Sequence, residues 1–398
     1  MGMERHILIA GAGIAGPTLA WWLHRYGWRV TVIERAPSVR TAGQNVDVRG
    51  AAREVIRRMA LDDEVAARGT GERGTRFVDA GGRTIAAFPA ATSDTAGATA
   101  EREILRSQLA ELLLERTRAQ ADYRFGAQIG SVRDETDGAT VTFADGSTER
   151  FDVVAIAEGV NSATRTKVFG TVPRRPLGVS VAYYSIPREP EDDDWWRWYN
   201  AAGGRTISLR PDNVGRIRVM LSFRAGPGEP GPRELAARFA DAGWQADRVI
   251  GALAGADDLY GEALQQVRAP RWATGRVVLL GDAGWCATPV SGMGTSLALV
   301  GAYVLAGELA AHVHHQDAFA GYERVLRPYV ERAQQLPPGT PKLAHPTSTL
   351  GVGVLRTALR LVGSVPEGLS GRLFAPPADH LSLPDYRHLE VTGAPTPG

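Results

Sequence analysis

The chain has a single cysteine, Cys286, among 398 residues, so it can form no internal disulfide and carries no redox dithiol pair. A flavoprotein disulfide reductase is thereby excluded. Lysine is almost as scarce: Lys167 and Lys342 stand among 45 basic residues, and arginine supplies the rest. With so much alanine and glycine, that bias reads as a coding background and not as a selected arginine surface. Excess charge of either sign is also lacking. The formal net charge of +1 gives no reason to expect nucleic acid or a membrane surface as a partner. No stretch reads as a bilayer span: Ser296–Val313 is broken by Glu308 and glycines, and Thr349–Val365 carries Arg356 and Arg360. The first strand follows the N-terminus almost at once, which leaves no room for a signal peptide, and the expected location is cytoplasmic. The eight histidines offer neither a metal set nor a convincing acid or base. His312, His314 and His315 fall at a helix end, where a C-terminus favours cations; no metal is expected.

What the chain does have is two glycine-rich turns far apart in sequence. The first, Gly11-Ala12-Gly13-Ile14-Ala15-Gly16, follows the apolar run His6–Ala10. The first glycine permits a tight turn, the second lets backbone approach a pyrophosphate, and the third lets the helix pack close to the strand. A helix over Ile14–Tyr26 is expected, then a buried strand over Arg29–Ile33. Glu34 closes that strand, where a carboxylate accepts from both ribose hydroxyls and repels a 2′-phosphate. The second turn, Gly281-Asp282-Ala283-Gly284 with Pro289, Gly292, Met293 and Gly294, follows the apolar run Val277–Leu280. Each turn leads a strand into a helix, whose start offers unpaired N–H groups and a positive dipole end. One such site suggests a dinucleotide. Two, at the ends of one extended cofactor, suggest FAD.

With a third segment, Asp152–Arg165, these blocks resemble the single-component FAD-dependent aromatic hydroxylases, the group of para-hydroxybenzoate hydroxylase and the tetracycline-inactivating monooxygenases. The resemblance covers most of residues 5 to 335. It implies an α/β fold: a Rossmann-type FAD-binding domain interleaved with a mixed β-sheet substrate domain, plus a C-terminal helical segment. The expected partition is 1–75, 98–171 and 268–335 for FAD, 76–97 and 172–267 for the substrate sheet, and 336–398 for the helix and tail. That last segment, with a helix around Leu350–Leu361, is expected near the substrate entrance. The middle block departs from the family's Gly-Ala-Asp-Gly: Ile156 and Glu158 replace its glycine and aspartate. The departure bears on the pyridine-nucleotide step.

The resemblance assigns cofactor roles position by position. Gly11, Gly13, Ala15 and Gly16 form the phosphate turn, and Glu34 with Arg35 holds the adenosine end. Arg106 contacts FAD from a helix start, its alternative being a surface ion pair. Arg40 is matched to NADPH and Asp47 to FAD, while Arg49 serves the flavin, a substrate anion or only the loop. Asp282 accepts from ribityl hydroxyls or merely caps a helix. Pro289 shapes the turn, and the N–H groups of Gly292, Gly294 and Thr295 face the anionic edge of the reduced ring. No side-chain acid or base is implied. NADPH or NADH acts as a transient co-substrate, O2 adds at flavin C4a, and the resulting hydroperoxide passes one oxygen to an aromatic or polyketide-like small molecule. Baeyer–Villiger oxygenation on the same fold, and a flavin-binding sequestration protein without turnover, stay open as alternatives. A halogenase fits poorly, because Trp196-Arg197-Trp198-Tyr199-Asn200-Ala201 lacks the Ile-Pro of that family's motif. Oligomeric state is not legible.

Overall fold

The computed structural model describes residues 5–39, 43–90, 103–225, 228, 230–337, 339–364 and 381–391. Arg40 and the 91–97 portion of the expected substrate sheet lie outside the described residues. Two sheets dominate. The first is parallel but for one edge strand, in the order Ala273–Thr274, Val277–Leu279, Val153–Ile156, His6–Ala10, Arg29–Glu34, Asp122–Phe125. Its two central strands, Val153–Ile156 and His6–Ala10, are apolar but for His6, as burial on both faces requires; Ile7, Leu8 and Ile9 are completely buried. The helix Ala15–Arg25 follows the first strand. The helix Gly294–Ala311, apolar enough on composition to cross a membrane, instead lies in the core. Its Tyr303 ring meets Trp22 edge-on at 4.7 Å between centroids.

The second sheet has seven strands, ordered Tyr260–Val267, Arg174–Pro187, Arg216–Arg224, Arg205–Pro211, Trp196–Ala201, Gly74–Val78, Thr84–Pro89. Side chains alternate between its faces. The outer face carries Tyr184, Tyr199, Leu209, Val219 and Leu221 into a core closed by the helices Pro232–Phe239 and Ala246–Ala252. The inner face looks toward the parallel-sheet unit. Gln44, Asn45 and Arg210 bridge the two units: Asn45 Nδ2 donates to the Pro211 carbonyl at 3.0 Å, and Arg210 Nη1 donates to the Asn45 carbonyl at 3.3 Å.

The C-terminal segment touches both units. The helix Thr349–Gly363 packs with Gly363 against Ala86 of the edge strand. Residues 381–391 return to the parallel-sheet unit. There the Tyr386 hydroxyl donates to Glu308 Oε1 at 2.6 Å, Tyr303 donates to the Pro384 carbonyl at 2.7 Å, and Arg25 pairs with Glu390. The three histidines divide differently from expectation. His312 ends the helix Gly294–Ala311, whereas His314 and His315 open the helix His315–Ala333.

Candidate FAD and substrate site

The site is built where strands of the parallel sheet end. Gly11 N donates to the Ile33 carbonyl at 2.7 Å, which closes the turn after the first strand. Gly11 has φ +117°, and a Cβ there would lie 2.4 Å from the Ala157 carbonyl oxygen. A Cβ on Gly16 would lie 1.9 Å from the Gly11 oxygen. These two glycines are therefore dictated by backbone meeting backbone. At Gly13, by contrast, a Cβ would face the Arg106 guanidinium, with Nη2 at 3.8 Å. Glu34 accepts the Ala12 N–H on one oxygen at 3.1 Å and the Ala36 N–H on the other at 3.0 Å. Each oxygen keeps a lone pair, so ribose hydroxyls still have acceptors. The neighbouring Arg35 is exposed.

The second glycine turn meets the first. A Cβ on Gly281 would stand 3.5 Å from the Ala15 Cβ. Asp282 opens the short helix Asp282–Trp285 and does not cap it, since Gly281 holds that position. Burial raises the Asp282 pKa, against the opposing influence of Arg106 and a hydrogen bond with Cys286. Burial likewise pushes the Cys286 thiol up, so it behaves as an inert packing residue. Pro289 starts a single tight turn, Pro289–Ser291. Gly292 N is used by the Pro289 carbonyl and Met293 N by Ser291 Oγ. Gly294 and Thr295 then form the first turn of the long helix, whose N–H groups have no partner within the helix. A Cβ on Gly292 or Gly294 would meet no atom within 4 Å, so the backbone there is open to an approaching group. Gly13, Arg106, Asp282 and this helix start thus form one cradle of donors, a cation and an acceptor. The residues fit FAD.

The middle block is internally satisfied. Glu158 accepts from Ser162 Oγ at 2.6 Å, Thr164 Oγ1 at 2.6 Å and Thr164 N at 3.1 Å. Glu158 thus folds back on the start of the helix Ala163–Phe169, whose N-cap is Ser162. Buried Arg165 reaches across to the Ala283 carbonyl at 2.8 Å and the Val160 carbonyl at 3.0 Å, tying this block to the second glycine turn.

Asp47 and Arg49 turn toward each other. Arg49 is buried and donates to Asp47 Oδ2 at 2.8 and 3.2 Å. The other Asp47 oxygen lies 3.8 Å from Arg210, which also pairs with Glu72 at 2.6 Å and Glu103 at 3.1 Å. This ionic knot has no counterpart in the sequence reading, because its members come from four separate segments. Burial, opposed by Arg210 and reinforced by Glu72 and Asp47, pushes the Glu103 carboxyl up to about 8. The native state therefore keeps a proton that the unfolded chain releases near its ordinary value of 4.5. Because the unfolded state binds fewer protons in that window, stability falls as pH rises from about 4.5 to about 8. Glu103→Gln mimics the protonated acid and is expected to flatten this slope. Urea midpoints of both proteins at about pH 5 and about pH 8.5 test it; parallel slopes would show that Glu103 ionises normally.

This arrangement defines a class: a two-unit α/β flavoprotein whose dinucleotide cradle faces the inner side of a mixed sheet. Residues 4–336 match the FAD binding domain family. The chain is 37% identical to the flavin-dependent monooxygenase eupH of Phoma sp, covering 96% of this chain and 97% of that protein. It is 33% identical to the FAD-dependent monooxygenase asL4 of Sarocladium schorii, covering 96% and 98%. The crystal structure of the tetracycline destructase Tet(51) superposes with a TM-score of 0.78 at 30% identity, covering 97% of this chain and all of that one. The chain belongs to the FAD-dependent monooxygenases.

Proposed function

We propose that this enzyme uses NADPH or NADH and O2 to insert one oxygen atom into an aromatic or polyketide-like small molecule held between the flavin and the inner face of the seven-stranded sheet. The observation that carries the reading is the meeting of Gly13, Arg106 and Asp282, with an open helix start at Gly294 and a sheet whose register lines up the aromatic side chains Phe77, Trp198 and Tyr183 on its inner face. When bound, FAD supplies the two-electron reduction and the activation of O2, which no side chain provides. The protein's part is to bind, orient and exclude water. Gly11–Gly16 would receive the pyrophosphate with Arg106 as counter-charge, Glu34 the adenosine ribose, and Asp282 the ribityl hydroxyls. The N–H groups of Gly294 and Thr295, at the positive end of an 18-residue helix, would hold negative charge on the reduced ring. The aromatic wall would keep water from the oxygen-transfer step. The similarity to a tetracycline destructase supports a fused-ring substrate. The single buried cysteine and near-zero net charge support an enzyme of the cytoplasm that works without nucleic acid.

Turnover under 18O2 with each ligand that accelerates NADPH oxidation tests the reading. One labelled oxygen atom in the product is expected. Product oxygen drawn from water, or NADPH consumption yielding only hydrogen peroxide with every ligand, would contradict it.

A further inference from the structure

The strand registers place six residues in one line across the inner face: Phe77, Trp198, Ser208, Met220, Tyr183 and Tyr260. None carries a charge at neutral pH. At about 4.8 Å per strand, Trp198 to Tyr183 alone spans roughly 14 Å, several times the width of one benzene ring. Phe77, Trp198 and Met220 are half-buried, so they form a surface, while Ser208 and Tyr183 are covered. The indole of Trp196 lies beside that of Trp198, 5.0 Å between centroids, which widens the aromatic area.

The lines on either side decide what charge this wall accepts. On one side stand Arg210 and Arg218, and both are already neutralised. Arg210 faces Glu72, Glu103 and Asp47; Arg218 faces Asp212 at 2.8 Å and Asp258 at 3.6 Å. Four carboxylates and the protonated Glu103 thus face these two guanidinia, and Arg49 is paired with Asp47. Such a flank disfavours an anion, because a ligand carboxylate leaving water would meet no uncompensated cation. On the other side stand Asn200, Thr206 and Ser222, closed by His345. The His345 Nδ1 lies 3.0 Å from the Pro341 carbonyl, an acceptor only, so Nδ1 carries the proton. Nε2 then accepts from the Ser222 hydroxyl at 2.9 Å, and the imidazole is neutral. Burial lowers its pKa and Arg224 adds to the effect, against the Pro341 bond. Arg224 itself is exposed at the strand end, about 7 Å beyond Ser222.

Resting on the monooxygenase reading above, we infer that the substrate is an uncharged fused-ring aromatic stacked along Trp198 and Met220, and that carboxylate-bearing aromatics are discriminated against. The flank charges act by exclusion: a benzoate-type ligand gains no ion pair and loses its hydration.

Calorimetry on the FAD-loaded enzyme without NADPH tests this with four probes: phenol, 4-hydroxybenzoate, 1-naphthol and 1-hydroxy-2-naphthoate. The expected order is naphthol above phenol, with each carboxylate weaker than its uncharged partner by about tenfold or more. Trp198→Ala is expected to weaken naphthol binding about tenfold at unchanged FAD content. Glu72→Gln, which leaves Arg210 with less compensation, is expected to narrow the gap between naphthol and its carboxylate. A carboxylate binding as tightly as its partner, or naphthol indifferent to Trp198→Ala, overturns the inference, as does failure of all four to bind. Because no turnover is involved, these outcomes are separate from failure of the oxygenase reading, which shows in NADPH consumption and oxygen labelling.

Discussion

Gly11→Ala is expected to yield a protein that purifies without flavin, with FAD affinity reduced about 100-fold or more. The new Cβ would sit 2.4 Å from the Ala157 carbonyl oxygen, and φ of +117° is a conformation that an L side chain rarely adopts. Overpacking of this kind costs about 1–3 kcal/mol and a strained backbone a similar amount, while about 1.4 kcal/mol is a factor of ten. The clash is backbone on backbone, so no rotamer change relieves it. The strand end must move, and with it the N–H groups of the turn. Gly251 gives the control, because a Cβ there meets nothing within 4 Å. Fluorescence titration with FAD reads both variants. Wild-type affinity in Gly11→Ala would mean that the turn does not receive the pyrophosphate.

The second large effect is expected at the opposite end of the helix that starts at Gly294. Gly307→Ala would place a Cβ 2.1 to 2.4 Å from the Tyr386 ring. The ring cannot stay, so its bond to Glu308 is lost and residues 381–391 undock from the groove. A loss of about 2–4 kcal/mol in unfolding free energy is expected from the overpacking and the undone contacts. Tyr386→Ala should cost a similar amount, and the double variant little more than either alone, because both remove one docked ring. Urea unfolding of the four proteins gives the cycle. Full additivity would show that the ring does not seat on Gly307.

Much of the cradle was legible because its demands are local. Gly11, Gly13 and Gly16 are fixed by what a turn and a close helix permit, and Glu34 by its place at a strand end. The helix Ala15–Arg25 falls within the expected Ile14–Tyr26, and the strand Arg29–Glu34 runs one residue past the expected Arg29–Ile33. What was not legible depends on partners distant in sequence. On sequence Arg49 is open to the flavin, a substrate anion or only the loop, and only the fold shows that Asp47 holds it. Glu158 reads as a damaged motif, yet Ser162 and Thr164, already visible in the same segment, satisfy it completely. The knot of Arg210 with Glu72, Glu103 and Asp47 joins residues up to 163 positions apart (47 to 210), and no periodicity foretells it. The tail offers the same lesson: the sequence of 381–391 carries no sign that Tyr386 matches the gap left by Gly307. Trp196, Trp198 and Tyr199 stand almost side by side in sequence, but strand alternation sends Tyr199 to the outer core and the two tryptophans to the inner wall.

We propose that this chain binds FAD in the cradle and passes electrons from a pyridine nucleotide to O2 under the control of an aromatic ligand. The most direct measurement is the visible spectrum of the purified protein, followed by NADPH addition in air with and without 1-naphthol and related uncharged fused-ring phenols. Flavin bands are expected to bleach slowly with NADPH or NADH alone and several-fold faster with such a ligand. Flavin bands indifferent to both nucleotides under every ligand would contradict turnover and leave a flavin-binding sequestration protein. A protein that takes up no flavin even on reconstitution would contradict the account entirely.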